Sequence, residues 1–264
     1  MSMFEGCTSL TSVNTANWDT SNVTSMILMF YYCKSLKSID LSTLVTSNVT
    51  SITNMFCYCS ALTSISGLSN FNTNKITGMN STFGNCTVLT SIGDISNWDT
   101  SKVTDLGGMF NGCKALTTVN LSNWDTSKVT NTGSMFRDCK LLTSLDLSNF
   151  DTSNVTNMNY MFSGCTSLDS LELDRFNTQN VTNADSMFYG CSKLNYIDIH
   201  DFVNVNRDVT LCTIVPQLPT RTSSSKGTIY YGASVVDVET AAAEAKYWDV
   251  DWTPTSVGGG GSSN

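Results

Sequence analysis

The sequence SLDLSNFDTSNVTNMNYMFSGCTSL, residues 144–168, can be laid with few substitutions on each other segment of the chain up to residue 202. A phenylalanine marks the period, and a cysteine always follows three residues later. The phenylalanines are Phe4, Phe30, Phe56, Phe83, Phe110, Phe136, Phe162 and Phe188, spaced by 26 residues with two intervals of 27. Such self-similarity is typical of repeat proteins, in which each unit buries its apolar side only by stacking on its neighbours.

The first part of each repeat predicts one short strand of a parallel sheet. Residues 142–150 match the L-x-x-L-x-L-x-x-N/C frame of leucine-rich repeats, with an aromatic residue in the last position. The alternation Leu145-Asp146-Leu147 places the two leucines inward and the aspartate outward. In the two 27-residue repeats the extra residue falls within 65–68 and 92–95, and we interpret both as glycine-assisted bulges.

The rest of the repeat predicts a corner and an outer wall. In Asp-Thr-Ser-Asn/Lys-Val-Thr, as at residues 125–130, the polar side chains can satisfy local backbone donors in a turn. Met158, Met161, Phe162 and Cys165 stand at helical offsets, which predicts one or two turns of α- or 3₁₀-helix. The predicted fold is therefore an α/β-type, leucine-rich-repeat-like solenoid of about eight coils, about 40 Å long at the usual strand spacing.

The period fails after residue 202, and the chain divides into three predicted parts. Residues 1–204 form the solenoid, residues 205–252 form a cap, and residues 253–264, with four consecutive glycines, form a flexible tail. Within the cap, residues 227–231 predict a strand and residues 238–252 a short helix. We interpret Asp249-Val250-Asp251 as a solvated turn, because no EF-hand or other calcium pattern accompanies it.

The repeats resemble the BspA-type leucine-rich repeats with a Met-Phe-x-x-Cys signature, over residues 1–202. That family occurs in surface proteins and lipoproteins of host-associated bacteria and in their mobile elements. The resemblance implies adhesion to host or bacterial surface components and an extracellular, cell-surface or virion-surface location. Residues 1–7 lack the basic start and apolar run of a signal peptide, which suggests a fragment or a protein delivered by another route.

Composition excludes several classes of partner. Only 14% of the residues are charged and the net charge is −8, so the chain repels phosphate backbones and anionic lipid surfaces. No apolar run approaches the roughly 20 residues that a membrane helix requires. We expect no nucleic-acid partner and no membrane insertion.

The sequence offers little for catalysis. Eight of the ten cysteines occupy one equivalent position per repeat, which places them in a line rather than around a metal ion, and we expect buried free thiols. Cys57 and Cys212 lie outside this row; Cys57 is the best candidate for a reactive or paired thiol, with a packed thiol as the alternative. His200 is the only histidine. We expect no enzyme activity, no metal and no cofactor.

The outward strand positions form the predicted ligand-binding face, because repeat solenoids usually bind through a continuous sheet surface. An ordinary solvated face is the alternative. The predicted face consists of Asn14, Asp40, Asp94, Asn120, Asp146, Glu172 and Asp198, flanked by Tyr196 and His200. Its predicted ligand is a protein or a glycan. The competing prediction is a structural or assembly component of a cell-surface or virion structure, such as a phage fibre or decoration protein.

The amino-terminal end predicts a further contact. The chain enters its first repeat partway, at Met3-Phe4, with no polar cap before it, and leaves Phe4, Leu10 and Val13 for another surface to cover. We expect an upstream domain, a second subunit or a larger assembly there. The alternative is that polar side chains and a frayed first repeat suffice.

Overall fold

The structure is a computed structural model, and it describes residues 2–199, 202, 227–231 and 248–252. Its strands are β1 (Ser38–Asp40), β2 (Ser64–Ser66), β3 (Ser170–Glu172), β4 (Tyr196–Ile199), β5 (Gly227–Tyr231) and β6 (Trp248–Trp252), with one 3₁₀ helix at Leu68–Asn70. All the strand pairs are parallel: β1 pairs with β2, and β3, β4, β5 and β6 follow one another in a second sheet. The chain is thus a repeat fold built on short parallel strands.

Pairing between strands follows the repeat period. Ile39 of β1 pairs with Ile65 of β2, and Leu171 of β3 pairs with Ile197 of β4, so each residue meets its equivalent 26 positions later. In β1, β2 and β3 the middle residue is buried and both its neighbours are exposed, as the alternation predicts. The prediction of one strand in every repeat is only partly confirmed, because the equivalent segments at residues 12–14 and from residue 91 to residue 148 form no strand.

The core is a stack of equivalent side chains. The phenylalanine rings lie nearly parallel, with centroids 5.4 Å apart for Phe30–Phe56 and 5.8 Å apart for Phe162–Phe188. A second aromatic column contains Trp98 and Trp124, 6.2 Å apart. Both indole N–H groups donate to backbone carbonyls of the preceding repeat, those of Leu68 and Ile95, so neither buried polar atom lacks a partner.

The outer wall is not helical, contrary to the prediction. Around Phe30 the backbone N–H groups alternate: Met29 and Cys33 donate back three residues within their own repeat, whereas Phe30 donates to Met55 in the next repeat. A helix would use every one of these donors internally. The wall is instead a series of tight turns, and every second donor joins neighbouring repeats.

A parallel ladder on this wall was not predicted. Single bridges join equivalent residues from repeat to repeat, through Ser51, Gly78, Asp105, Asn131, Asn157 and Asn183. Side chains reinforce the ladder, because Asn131 donates to Asp105 at 2.9 Å and Asn157 donates to Asn131 at 3.0 Å. Hydrogen bonding between repeats therefore lies on this wall as well as on the predicted sheet.

The extra residue of the first long repeat follows the strand and is not a bulge within it. β1 and β2 pair one to one, and Gly67 then takes a left-handed φ of 82° and leads into the 3₁₀ helix. A Cβ at Gly67 would clash with the backbone of Ser42, so only glycine fits. In the second long repeat the left-handed glycine is Gly93, one position earlier in the repeat, and its φ is 80°, outside any strand.

The carboxy-terminal segment extends the sheet. β5 is the predicted strand, and it pairs with β4. Residues 248–252 were predicted to end a helix, with a solvated turn at Asp249–Asp251, and both predictions are wrong, because these residues form β6 and pair with β5. The remainder of the predicted helix, residues 238–247, the tail at 253–264 and Cys212 lie outside the described residues.

Candidate binding face

The predicted face residues lie on the surface of the repeats. Asn14, Asp40, Asp94, Asn120, Asp146 and Glu172 are exposed, and Tyr196 and Asp198 are partly buried. The strand register brings two pairs together, since Glu172 lies beside Asp198 and Ser170 beside Tyr196. His200 lies outside the described residues. The strand register thus places Glu172 and Asp198 side by side at the carboxy-terminal part of the face.

Aspartates of the face are exposed to solvent and also accept hydrogen bonds from the backbone. Oδ1 of Asp146 accepts hydrogen bonds from the backbone N–H of Ser148 at 3.0 Å and from its hydroxyl at 2.7 Å. Asp94 makes the same contacts with Ser96. These bonds stabilise the ionised form, and the serine hydroxyls contribute most to lowering the pKa of Asp94 and Asp146.

Asp40 links two repeats. Its Oδ1 accepts from the backbone N–H of Ser42 and from the hydroxyl of Ser66, one repeat further on, each at 2.9 Å. Its pKa is lowered chiefly by the bond from the Ser42 N–H. Asn14 and Asn120 accept a backbone bond from the residue two positions later, Ala16 and Ser122. The face is thus a row of short polar turns with fixed side chains.

A shallow depression opens where the face is most acidic. It has a volume of about 240 Å³ and lies between Asp146 and Glu172, with Ser144, Ser148 and Ser170 around them. Two carboxylates and three hydroxyls can accept hydrogen bonds from a cationic or polyhydroxyl ligand. The depression marks the part of the predicted face best suited to contact.

The cysteine row is buried and hydrogen-bonded. The thiol of Cys113 donates to the carbonyl of Phe83 at 3.1 Å, and Cys33, Cys59, Cys86, Cys139, Cys165 and Cys191 make the equivalent bond to the phenylalanine one repeat earlier. Burial of these seven thiols is confirmed, whereas Cys7 in the first repeat is exposed. The prediction that these thiols act as small hydrophobic groups is incomplete, because each thiol also donates a hydrogen bond to a backbone carbonyl.

Burial makes these thiols poor nucleophiles. Removal from water raises the pKa of Cys113 to about 12 and that of Cys57 to about 11. Cys57 is a buried free thiol, which supports the packed alternative over a reactive or paired one. Among residues 2–199 and the other described positions, no cluster of three or more His, Cys, Asp or Glu side chains could hold a metal ion.

Sequence reasoning missed the aromatic side chains on the outer wall. Tyr31, Tyr32 and Tyr58 form one cluster, with ring centroids 5.3–5.9 Å apart, and the ammonium group of Lys34 lies 4.2 Å from the Tyr32 ring centroid. The signal was present as a departure from the repeat, because Tyr32 and Tyr58 stand where Gly112, Gly164 and Gly190 stand elsewhere.

Comparisons with known proteins identify the family and little more. One solved structure, a leucine rich cell surface protein from Faecalibacterium prausnitzii A2-165, is 18% identical, with a TM-score of 0.31 over 92% of this chain and 83% of that one. Those values are too low to transfer a fold or a function. No curated protein matches in sequence. In the part of the chain that the structure describes, no helix is long and apolar enough to cross a membrane.

A family profile described as "Mycoplasma protein of unknown function, DUF285" matches residues 1–89, 61–144 and 117–211. The matches overlap one another, as expected when one profile aligns with successive groups of repeats. Together they cover residues 1–211 of the 264 in the sequence. The chain belongs to the DUF285 family.

Proposed function

We propose that the chain is a non-catalytic binding module of a surface-located, leucine-rich-repeat-like solenoid, and that its acidic face binds a protein or glycan ligand. The observation that carries the proposal is the row of outward polar side chains, one per repeat, most concentrated at Asp146, Glu172 and Asp198. The surface location rests on the resemblance of the Met-Phe-x-x-Cys repeats to BspA-type repeats.

The fixed geometry of the face supports recognition over a merely solvated surface. Asp40, Asp94 and Asp146 are each held by hydrogen bonds from neighbouring serines. These side chains therefore lose little conformational freedom when a ligand binds. Aspartates are charged through the neutral range, and the lowered pKa of these three extends their charge to more acidic pH. A cationic or neutral polar ligand matches this face, because charge complementarity steers association and selects partners.

The test compares two matched variants of the full chain on an array of neutral and acidic glycans and purified extracellular proteins. Asp146→Asn with Glu172→Gln removes charge from the depression, whereas Asp125→Asn with Asp151→Asn removes the same charge from the corner turns. Asparagine accepts the same turn bond, so both variants should fold. We expect about a tenfold loss of binding for the first pair only, the usual effect of losing a hydrogen bond to a charged group. Equal ligand binding by the two double variants would contradict a binding role for the acidic face.

A structural or assembly role is the second candidate, and one observation favours it. In the first repeat Phe4 and Leu10 are only partly buried and Met3 is 67% exposed, whereas the equivalent Phe30 and Leu36 are fully buried. That surface could pack against another subunit or domain, and a head-to-tail contact could build rings or filaments. Light scattering on the chain and on a Phe4→Ser, Leu10→Ser variant tests this: association in the first alone supports assembly, and monomers in both contradict it.

A further inference from the structure

The outer wall departs from the repeat most sharply between residues 137 and 190. Arg137 occupies the position directly after the core phenylalanine, where Gly84, Asn111 and Ser163 stand in other repeats. Tyr160 replaces the serine found at Ser134 and Ser186. A repeat needs neither side chain for its core, because both project from the wall and are only partly buried.

The backbone at Tyr160 is strained. Its φ is 56°, in the left-handed region that bulky side chains rarely adopt. The equivalent residues Leu28, Asn54, Ser81, Gly108, Ser134 and Ser186 share this conformation, so it belongs to the turn of each of these repeats, and Gly and Asn tolerate it best. Most repeats place a small residue here, and the large side chain of Tyr160 is therefore a candidate for ligand contact.

The guanidinium group of Arg137 is held in place by a neighbouring ring, but within the described part of the chain its N–H donors are not used. Its central carbon lies 4.6 Å from the centroid of the Tyr160 ring, which holds it over that face. Its nearest acidic contact, from Nε to Oδ2 of Asp138, is 3.8 Å, which is longer than a hydrogen bond. Among the described residues this side chain donates no hydrogen bond, so its N–H groups remain open to a ligand.

These side chains share one open depression of about 480 Å³, within the roughly 300–1,000 Å³ of small-molecule sites. Lys140 and Tyr189, the latter 67% exposed, line it together with Ser186. The depression combines two cations, two aromatic rings and hydroxyls with one carboxylate, that of Asp138. That chemistry contrasts with the net charge of −8 of the whole chain.

We propose that this depression is a second binding site, separate from the acidic face, and that it takes an acidic monosaccharide unit such as a uronic or sialic acid. Arg137 pairs with the sugar carboxylate in a two-pronged contact, supported by Lys140. The apolar C–H side of the sugar ring packs on Tyr189, and Ser186 bonds to its hydroxyl edge.

The extent of the site along the wall favours a sugar over an acidic peptide. The depression spans the repeats of Phe136, Phe162 and Phe188, and in the preceding repeat the positions Gly108, Asn111 and Gly112 offer no ring and leave Lys114 as the cation. An extended peptide binds along a sheet edge or a longer groove. A single carboxylate-bearing ring needs only the space between Arg137 and Tyr189.

Calorimetric titration of the full chain with glucuronic acid and N-acetylneuraminic acid tests the site, with glucose as the neutral match and a tetraglutamate peptide as the competing ligand. We expect at least one acid to bind about tenfold more tightly than glucose, and Arg137→Gln to remove that advantage. Lys114→Gln, which removes a charge from the same position as Lys140 one repeat earlier, should leave it unchanged.

Tyr160→Ser separates a binding role from a structural one. It restores the residue found in neighbouring repeats, so the unfolding midpoint should stay the same or rise while affinity for the acid falls. A fall in the midpoint would make Tyr160 structural and overturn its assignment. Equal affinity for glucose, no effect of Arg137→Gln, or tighter binding of tetraglutamate would each overturn the sugar site, whatever the acidic-face variants show.

Discussion

At the scale of single residues, the core depends on identical side chains meeting their own copies. Phe162 is fully buried between Phe136, 6.0 Å away, and Phe188, 5.8 Å away, and both neighbours are held by their own repeats. Phe136 is already stacked on Phe110, 5.6 Å away, and Phe188 is fully buried in its own repeat, so neither ring can readily fill a space left between them. A lost ring therefore leaves a cavity.

We expect Phe162→Ala to lower the free energy of unfolding by about 3–5 kcal/mol, as for other large-to-small changes at sites that cannot collapse. Leu141→Ala is the matched control, since that side chain is 50% exposed and its loss should cost well under about 1 kcal/mol. Urea denaturation measures both. Comparable small losses would show that the phenylalanine row is not the core.

Cysteine ionisation predicts an alkaline limit to stability. Unfolded thiols ionise near pH 8.5, whereas burial raises the pKa of Cys113 and Cys191 to about 12 and that of Cys33 to about 11. Between pH 8.5 and 11 the unfolded state alone loses these protons, so stability should be full below pH 8.5 and should fall as pH rises. Urea midpoints from pH 7 to 10.5 test this, and Cys113→Ser should show a shallower fall.

Native alkylation provides an independent check on the same thiols. Cys7 is exposed and should react first, while the seven buried cysteines of the row should react only on unfolding. Extensive labelling of Cys113 in the native protein would contradict its burial and the alkaline prediction together.

At the scale of elements, buried threonines at the corner of each repeat join that repeat to the next. The hydroxyl of Thr126 donates to the carbonyl of Asp151 at 3.0 Å, and Thr100 makes the equivalent bond to Asp125 at 2.9 Å. Thr73 occupies the same position in a 27-residue interval, yet its buried hydroxyl has no hydrogen-bond partner. The structure offers no physical reason for this exception.

The contrast predicts opposite outcomes for one substitution. Thr126→Val should cost about 1–2 kcal/mol, because it leaves the Asp151 carbonyl without its donor. Thr73→Val should be neutral or stabilising, because it removes a buried hydroxyl that bonds to nothing. Denaturant titration of the two variants side by side measures the difference, and equal losses would mean that Thr73 has a partner after all.

The repeat, its core and the polar corners could be predicted because each follows from residue spacing. The outer wall could not, because Met158, Phe162 and Cys165 have the same apolar spacing in a helix and in a series of turns. A glycine, asparagine or aspartate recurs two residues after the phenylalanine, as at Gly164 and Asp138, where the turn needs a positive φ that these residue types tolerate. That recurrence was the overlooked signal for turns in place of a helix. Six of the predicted face residues are exposed and their role in binding stays a prediction, whereas Arg137 and Tyr160 could be found only as exceptions to the pattern.

At the scale of the whole molecule, the backbone hydrogen bonds between repeats described for residues 2–199 join neighbouring repeats. Backbone bonds such as Thr130 to Thr104 and Thr156 to Thr130 run between residues 26 apart. Stability of such a chain is approximately a sum of repeat and junction contributions. The number of repeats can therefore change without a change in fold.

Removal of residues 124–149, which joins Asn123 to Phe150 at equivalent positions, should leave a folded protein shorter by one repeat. We expect the urea m-value to fall with the buried surface, and small-angle scattering to show a rod shortened by about 5 Å from about 40 Å. An insertion of 13 residues, half a period, is the control and should unfold the neighbouring repeats. A collapsed or aggregated deletion variant would contradict the stacked arrangement.

The orphaned hydroxyl of Thr73 has a mechanical consequence. When a chain of this kind is pulled from both ends, every junction carries the same force, and each hydrogen bond missing from a junction lowers the force that it withstands. The Thr73 junction lacks the hydroxyl bond that Thr100 and Thr126 supply to theirs. We expect that junction to resist tension less than it would with the bond, so a load on the chain tends to part the repeats before Thr73 from those that carry Asp146 and Arg137.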